Sequence, residues 1–380
     1  MPKLYYIANA RMPNEKAHGI QIAKMCEAFI VRGINFTLVV PHRSTYAQSL
    51  KTFYGLSSDV PLIKIFTFDW YGVSRVGFAL SSILFMLQVQ CLLWYKRLRG
   101  ERFVIYTIDM DNFSYVLLPL AGATFTEMHT PKSRSLLQRF FFKRVTGVIA
   151  TNGLIRQRFI DDYSMAADRV IAEPNGVDLE TFTITSTRHD ARAALSLPQD
   201  IQIVLYVGRF YQWKGLDIVA PACALLSSHT LWYVVGGTRE EFVRVTGVSA
   251  PPDTLVFMGE RPVADIPLWL RAADVLLLLG TNKNIDSSRY TSPMKLFEYL
   301  ASGTPIVASA TPAITDVISN SEGYLYEPDD AASLARTVET ALTAPDAPQR
   351  SERARARVPE LTWENRAERI ISFIQSWTQP

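Results

Sequence analysis

A short apolar strand followed by an amphipathic helix, repeated and then restarted after a polar interruption, constrains this chain more than any other feature. In the N-terminal half, apolar runs at 4–8, 36–40, 104–106, 124–128, 148–150 and 170–172 each stop at turn residues. The first is followed by a helical pattern from about Gly19 to Arg32, closed by Gly33. Strands alternating with helices need a parallel sheet covered on both faces, because a parallel connection has to cross over the sheet. After Pro174-Asn-Gly-Val-Asp178 comes a stretch rich in Thr and Ser, and then the rhythm restarts with runs at 203–207, 231–235, 255–258, 275–279 and 306–308. A length of 380 residues also exceeds what one core usually organises. The expectation is an α/β chain of two Rossmann-like domains, 1–180 and 201–360, joined by a linker at 181–200. Ligands in such a fold bind in the cleft at the carboxyl ends of the strands.

Charge separates the halves. The 39 basic and 36 acidic residues nearly cancel, which argues against a nucleic-acid backbone as partner. Residues 1–180 nevertheless hold 21 Lys/Arg against 14 Asp/Glu, and the remainder holds 18 against 22. Cys26, Cys91 and Cys223 form no paired motif, so a disulfide framework and a thiolate metal site are not expected. The N-terminal residues lack signal-peptide regions, and the cytoplasm is the expected compartment.

Residues 76–95 carry no charge and are flanked by Arg75 and by Lys96, Arg97 and Arg99, so length alone makes them a membrane-span candidate. A span would put the strands before it and after it on opposite sides of a bilayer, where they could not share a sheet. Ser81, Ser82, Gln88 and Gln90 are read as one polar stripe, which makes a buried or interfacial helix the first expectation. A second basic and apolar stretch, 132–144, reads as a surface helix with Phe140, Phe141 and Phe142 turned partly to the core. Together the two segments predict peripheral contact with anionic lipid.

The residues that carry chemistry gather in the second half. In Val207-Gly-Arg-Phe-Tyr-Gln-Trp-Lys-Gly a strand ends and places Arg209 and Lys214 at the sheet edge, where two cations suit a diphosphate. In Ser292-Pro-Met-Lys-Leu-Phe-Glu a helix opens whose free N–H groups favour an anion, and Glu298 follows within reach of a ribose diol. Neither half has a GxGxxG after its first strand, so a dehydrogenase-type site is unsupported.

With these motifs the chain resembles the GT-B glycosyltransferases, specifically the retaining family 4. The resemblance rests on the ordered set Pro13-Asn-Glu-Lys-Ala-His-Gly-Ile-Gln, Glu127-Met-His129, Pro174-Asn-Gly-Val-Asp178, Gly208-Arg209 to Lys214-Gly215, Ser292 to Glu298, and Leu361-Thr-Trp363. It implies two Rossmann-like domains facing a cleft, with a C-terminal helix, 361–380, returning to the first domain. It further implies transfer of a sugar from a nucleoside diphosphate sugar to an acceptor hydroxyl with retention. Because the N-terminal half of GT-B enzymes generally binds acceptor, the basic character of this half makes a glycolipid or cell-envelope saccharide at the cytoplasmic membrane face the expected acceptor. Arg209 and Lys214 would neutralise the leaving diphosphate, helped by N–H groups near Gly19 and at Thr291, Ser292 and Met294. Glu298 would hold the ribose and His129 would contact the donor sugar. The departing phosphate takes the acceptor's proton in this scheme, so no cofactor, metal or paired carboxylates are expected.

One position departs from the family pattern. Tyr290 stands where a sugar-contacting Glu is usual, and Asp286, Asn282 and Asn284 are candidates for the lost contact or mere turn formers. His18 is a candidate pocket residue, while His42, His189 and His229 are expected to be uninvolved. Asp109-Met-Asp111 could hold a divalent metal as in GT-A enzymes, but a loop with Asp111 as a helix cap is the preferred reading. A GT-B epimerase or phosphorylase, and a non-catalytic nucleotide-sugar or partner-binding protein, are the alternative functions.

Overall fold

The computed structural model describes residues 2–43, 46–70, 74–226 and 229–378. The chain divides into two compact units, Met1–Pro174 with Trp363–Pro380, and Asn175–Thr362. In the first, strands β1 (Lys3–Ile7), β2 (Phe36–Pro41), β3 (Leu62–Ile65), β4 (Phe103–Ile108), β5 (Thr124–Met128), β6 (Gly147–Ala150) and β7 (Val170–Ala172) form one sheet. Its order is β3-β2-β1-β4-β5-β6-β7, and every pairing is parallel, with Tyr6 set between Leu38 and Tyr106. The second unit has β8 (Gln202–Val207), β9 (Thr230–Val235), β10 (Leu255–Phe257), β11 (Val275–Leu278), β12 (Ile306–Ser309) and β13 (Tyr324–Tyr326), in the order β10-β9-β8-β11-β12-β13. Its pairings are parallel as well.

Both sheets reverse their strand order once, between β1 and β4 and between β8 and β11. Loops leaving two such neighbours diverge to opposite faces and open a crevice at their carboxyl ends. Successive side chains of β8 serve two cores: Ile203, Leu205 and Val207 pack on one face, Val204 and Tyr206 on the other. Each aliphatic side chain so buried contributes roughly 1.5–3 kcal/mol. The continuous apolar runs follow from burial on both faces.

The helix expected over 361–380 runs Trp363–Thr378 and belongs to the first unit, with 379–380 outside the described residues. It packs against the Ala17–Val31 helix, where Arg32 pairs with Glu368 at 2.8 Å. Phe373 meets Phe125 edge-on at 5.6 Å. Gly147 lies beneath it, and a Cβ there would come within 2.7 Å of the Phe373 ring.

The expected linker at 181–200 is instead part of the second unit. Its polar residues are helix caps: Asp178 accepts from Thr181 N at 3.1 Å and Thr187 from Asp190 N at 3.1 Å, starting helices Leu179–Phe182 and Arg188–Ala194. Arg192 is buried, ion-paired to Asp274 at 2.6 Å and donating to the carbonyls of Ala272, Gln199 and Ile201. A Thr-rich segment looks like a linker because capping residues and loop residues are the same types.

The apolar segment 76–95 lies in helix Arg75–Leu98, the one helix among the described residues long and apolar enough to cross a membrane. It connects β3 to β4, which share one sheet. Of the expected polar stripe, Gln88 and Gln90 are half-buried. Ser81 and Ser82 are buried, because Ser81 Oγ donates to Phe68 O at 2.9 Å and accepts from Trp70 N, and Ser82 Oγ accepts from Asn9 Nδ2 at 3.1 Å. Val76, Leu80, Ile83, Leu87, Cys91, Trp94, Tyr95 and Leu98 are its exposed uncharged residues. In the other segment, helix Leu136–Arg144 buries Phe141 and Phe142, leaves Leu136 and Leu137 exposed, and stacks Arg144 over Phe140 at 4.0 Å.

Candidate active site

In the second unit, the loops leaving β8 and β11 carry the predicted donor residues. β8 ends at Val207, and the turn through Gly208 is tight: a Cβ on neighbouring Gly236 (φ 121°) would meet Gly208 O at 2.6 Å. Arg209 follows, with its Nε 3.4 Å from Glu260. A short 3-10 turn, Gln212–Lys214, then brings Lys214 Nζ back to donate to Arg209 O at 3.2 Å, over the Tyr211 and Trp213 rings at 5.2 and 5.7 Å. Burial lowers the Lys214 ammonium to about 8, and the positive charge of Lys295 adds to the shift. An anion placed here would reverse both causes.

The helix Met294–Ser302 starts with Pro293 at its cap. Its first-turn N–H groups have no helical carbonyl before them and carry the positive end of the helix dipole. Glu298 pairs with Lys295 at 2.8 Å. Two contacts that sequence reading missed fix this helix. Tyr299 OH accepts from Val207 N at 3.1 Å, tying it to the strand that delivers Arg209. Asn175, from the Pro-Asn-Gly turn, donates its amide N–H to Ser292 Oγ at 3.1 Å and its side-chain N–H to Ser292 O at 2.7 Å. Thr291, Ser292 and Met294 are thereby set at the mouth of the helix. Asp286 is exposed and Tyr290 half-buried, at the two ends of the turn Asp286–Tyr290. Asn284 accepts from Ser287 N at 3.0 Å and Asn282 from Ser288 Oγ at 2.8 Å, so both act as turn formers.

In the first unit, His129 follows β5, half-buried, its N–H donating to Asp109 Oδ1 at 3.1 Å. Its Nε2 lies 3.0 Å from Glu127 Oε1. Glu127 is fully buried and also receives Tyr106 OH, Gln21 Nε2 and, at 2.9 Å, the Arg366 guanidinium. Burial pushes its carboxyl up, but the Arg366 charge and the hydrogen bond from His129 outweigh it and hold the carboxyl well below the usual range. His18 nearby is lowered to about 4 by burial, Lys16 and His129.

Gly19 lies in the first turn of the Ala17–Val31 helix. Its N–H is spent on Lys16 O at 2.9 Å, and a Cβ would meet Tyr54 OH at 2.6 Å and the Asn14 side chain at 2.7 Å. Here glycine permits close packing. Both carboxylates of the Asp109-Met-Asp111 pair are engaged. Asp109 pairs with Lys132 at 2.8 Å; Asp111 accepts from Phe113 N and Ser114 N at 2.7 Å and from Asn9, capping a turn, not a helix. Among the described residues no group of three His, Cys, Asp or Glu is placed to hold a metal.

Two parallel-sheet units, the second with cations and a helix start at its switch point, define the GT-B class of glycosyltransferase fold. Residues 201–344 match the family model "Glycosyl transferases group 1". It is 26% identical over 281 residues to D-inositol 3-phosphate glycosyltransferase of Streptomyces scabiei, covering 68% of this chain and 61% of the relative. It is 28% identical over 295 residues to the protein of that name from Thermomonospora curvata, 70% and 65% respectively. The chain thus spans about three-fifths of the length of the curated relatives it matches. Among solved structures, Anabaena HepE in complex with UDP and glucose aligns with TM-score 0.73 at 17% identity, covering 99% of this chain and all of the other. Sucrose-phosphate synthase of Thermosynechococcus elongatus aligns with TM-score 0.73 at 21% identity, covering 99% of each.

Proposed function

We propose that the chain transfers a sugar, with retention, from a nucleoside diphosphate sugar to a hydroxyl of a saccharide or lipid-linked acceptor. The observation that carries the reading is Arg209, Lys214 and the start of helix Met294–Ser302 meeting at the β8/β11 switch point. As the glycosidic bond breaks, negative charge grows on the leaving diphosphate, and fixed cations and helix N–H groups stabilise it without reorganising. Lys214 gains most, since the anion supplies the countercharge it lacks. Glu298 takes the ribose diol in exchange for Lys295. His129 contacts the donor sugar, and the departing phosphate accepts the acceptor's proton. No metal or cofactor takes part.

A panel of nucleoside diphosphates and nucleotide sugars scored by melting temperature tests this, because a ligand that binds only the folded state raises it. UDP is the first probe, given the ligands of HepE. Stabilisation by a nucleotide sugar, with transfer products of retained anomeric configuration, supports the reading. Conversion of the sugar nucleotide without acceptor points to an epimerase; no stabilisation by any member of the panel points to a non-catalytic protein.

We place this activity at the cytoplasmic face of the membrane, as a peripheral protein. Seven exposed residues of helix Arg75–Leu98, Val76, Leu80, Ile83, Leu87, Cys91, Trp94 and Leu98, follow steps of four, three, four, four, three and four, which keeps them on one line about 33 Å long. No acidic residue interrupts the helix, and Lys96, Arg97 and Arg99 close it. Phe66, Phe68 and Trp70 are exposed as well, and Ser81 bonds to the backbone of Phe68 and Trp70. An anionic bilayer complements such a surface. Cosedimentation with vesicles rich in phosphatidylglycerol at low salt, lost in Leu80→Asp/Leu87→Asp, is expected; equal sedimentation of both proteins refutes the placement.

A further inference from the structure

The pair formed by Arg366 and Glu127 is closed to solvent, the two side chains 1% and 0% exposed. Burying two charges costs several kcal/mol each unless hydrogen bonds complete the site, so the partners of such a pair are informative. Arg366 comes from the C-terminal helix Trp363–Thr378 and also donates to Pro174 O at 2.7 Å. Glu127 sits on β5, two residues before His129, and all its neighbours are donors: Arg366, Gln21, Tyr106 and the imidazole.

An ionised carboxylate only accepts, so the ring nitrogen 3.0 Å from Glu127 Oε1 has to carry the proton. Gln21 Nε2 stands 3.3 Å from the same nitrogen and gives one of its two N–H groups to Glu127. The shorter, charge-assisted contact decides the tautomer. With the proton on Nε2, Nδ1 is an acceptor, and no described residue hydrogen-bonds to it. We propose that Arg366, by keeping Glu127 ionised, makes the pair a positioning device for His129, which presents Nδ1 as an acceptor to a sugar hydroxyl. A group behind a histidine that fixes its tautomer governs what the ring can do in front. This rests on the transferase reading for its consequence, and on the geometry alone for the tautomer.

The test is nitrogen-15 NMR of the histidine rings in the full chain near pH 8, with His129 assigned by loss in His129→Gln, alongside UDP-glucose turnover. The wild type is expected to show Nε2 protonated and Nδ1 bare. Glu127→Gln and Arg366→Met are expected to mix the tautomers and lower kcat at least ten-fold with KM within about three-fold, and Arg366→Lys to restore part of both. A wild-type ring protonated on Nδ1 overturns the proposal, as does an unchanged tautomer in Glu127→Gln and Arg366→Met. The expected ring pattern without UDP-glucose turnover supports the tautomer assignment and counts against UDP-glucose transfer, so the two failures are told apart. If a variant does not fold, the wild-type spectrum still decides the tautomer.

Discussion

Diphosphate binding to the second unit should take up a proton, and Lys214 sets the pH at which it does. The free protein holds this ammonium at about 8 through burial and the charge of Lys295. A bound diphosphate reverses the bias, so Lys214 in the complex stays protonated well above that value. At about pH 7 the group is about nine-tenths protonated before binding, and uptake is about 0.1 proton per UDP; at about pH 9 it is roughly one-tenth protonated and uptake approaches 0.9. Affinity therefore falls about ten-fold between pH 7 and pH 9, about five-fold of it above pH 8, and is nearly flat below about 7. The phosphate itself does not titrate in this range, since its second ionisation lies near pH 6. Calorimetric titration with UDP in buffers of different ionisation enthalpy measures the uptake directly. Lys214→Arg, charged throughout, should bind with no uptake and no fall in affinity. Uptake below about 0.2 at pH 9, or flat wild-type affinity from pH 7 to 9, would refute the argument.

Three further outcomes are expected. Glu298→Ala should weaken UDP binding by roughly 10- to 100-fold, the scale of lost charge-assisted hydrogen bonds, yet leave pyrophosphate binding within two-fold, since pyrophosphate has no ribose; equal losses for both would remove the ribose role. Glu127 has a folded-state pKa below its ordinary 4.5, so the unfolded chain binds more protons and the pair's stabilisation, complete above that pH, is lost as pH falls toward 2. Acid unfolding monitored by circular dichroism should lose this pH dependence below 4.5 in Glu127→Gln. Gly147→Ala, whose Cβ would lie 2.7 Å from the Phe373 ring and 2.9 Å from Phe125, should destabilise the first unit by about 1–3 kcal/mol in urea unfolding; unchanged stability would mean that the Trp363–Thr378 helix is not seated as described.

Central strands were the legible part of the fold. β5 matches the apolar run read from the sequence, because burial on both faces leaves a continuous signal; of the edge strands, β7 and β10 were also read. β3 and β13 were missed, and both are edges of their sheets. Leu62–Ile65 contains a lysine, and Tyr324–Tyr326 has three residues, too few for a period. The donor loop was legible because its parts are close in sequence: Arg209 and Lys214 are five residues apart, and Ser292 and Glu298 six. What orders it came from further away, Asn175 being 117 positions from Ser292. The first-unit network is assembled from Gln21, Tyr106, Glu127 and Arg366, on four separate elements, and no local pattern joins them. A charged residue inside the buried run Thr-Phe-Thr-Glu-Met was the available clue, since an unpaired charge at such a position is not tolerated.

The return of helix Trp363–Thr378 to the first unit has a consequence for biogenesis. The second unit is one continuous stretch, Asn175–Thr362, and all of it has been synthesised before that helix emerges. The first unit starts earlier in the chain but lacks Arg366 and Phe373 until helix Trp363–Thr378 has emerged. During synthesis Glu127 waits without its cation, and the groove over Gly147 stands open. The order of maturation differs from the order of translation: the second unit can close before the first, and the surroundings of His129 are completed after it.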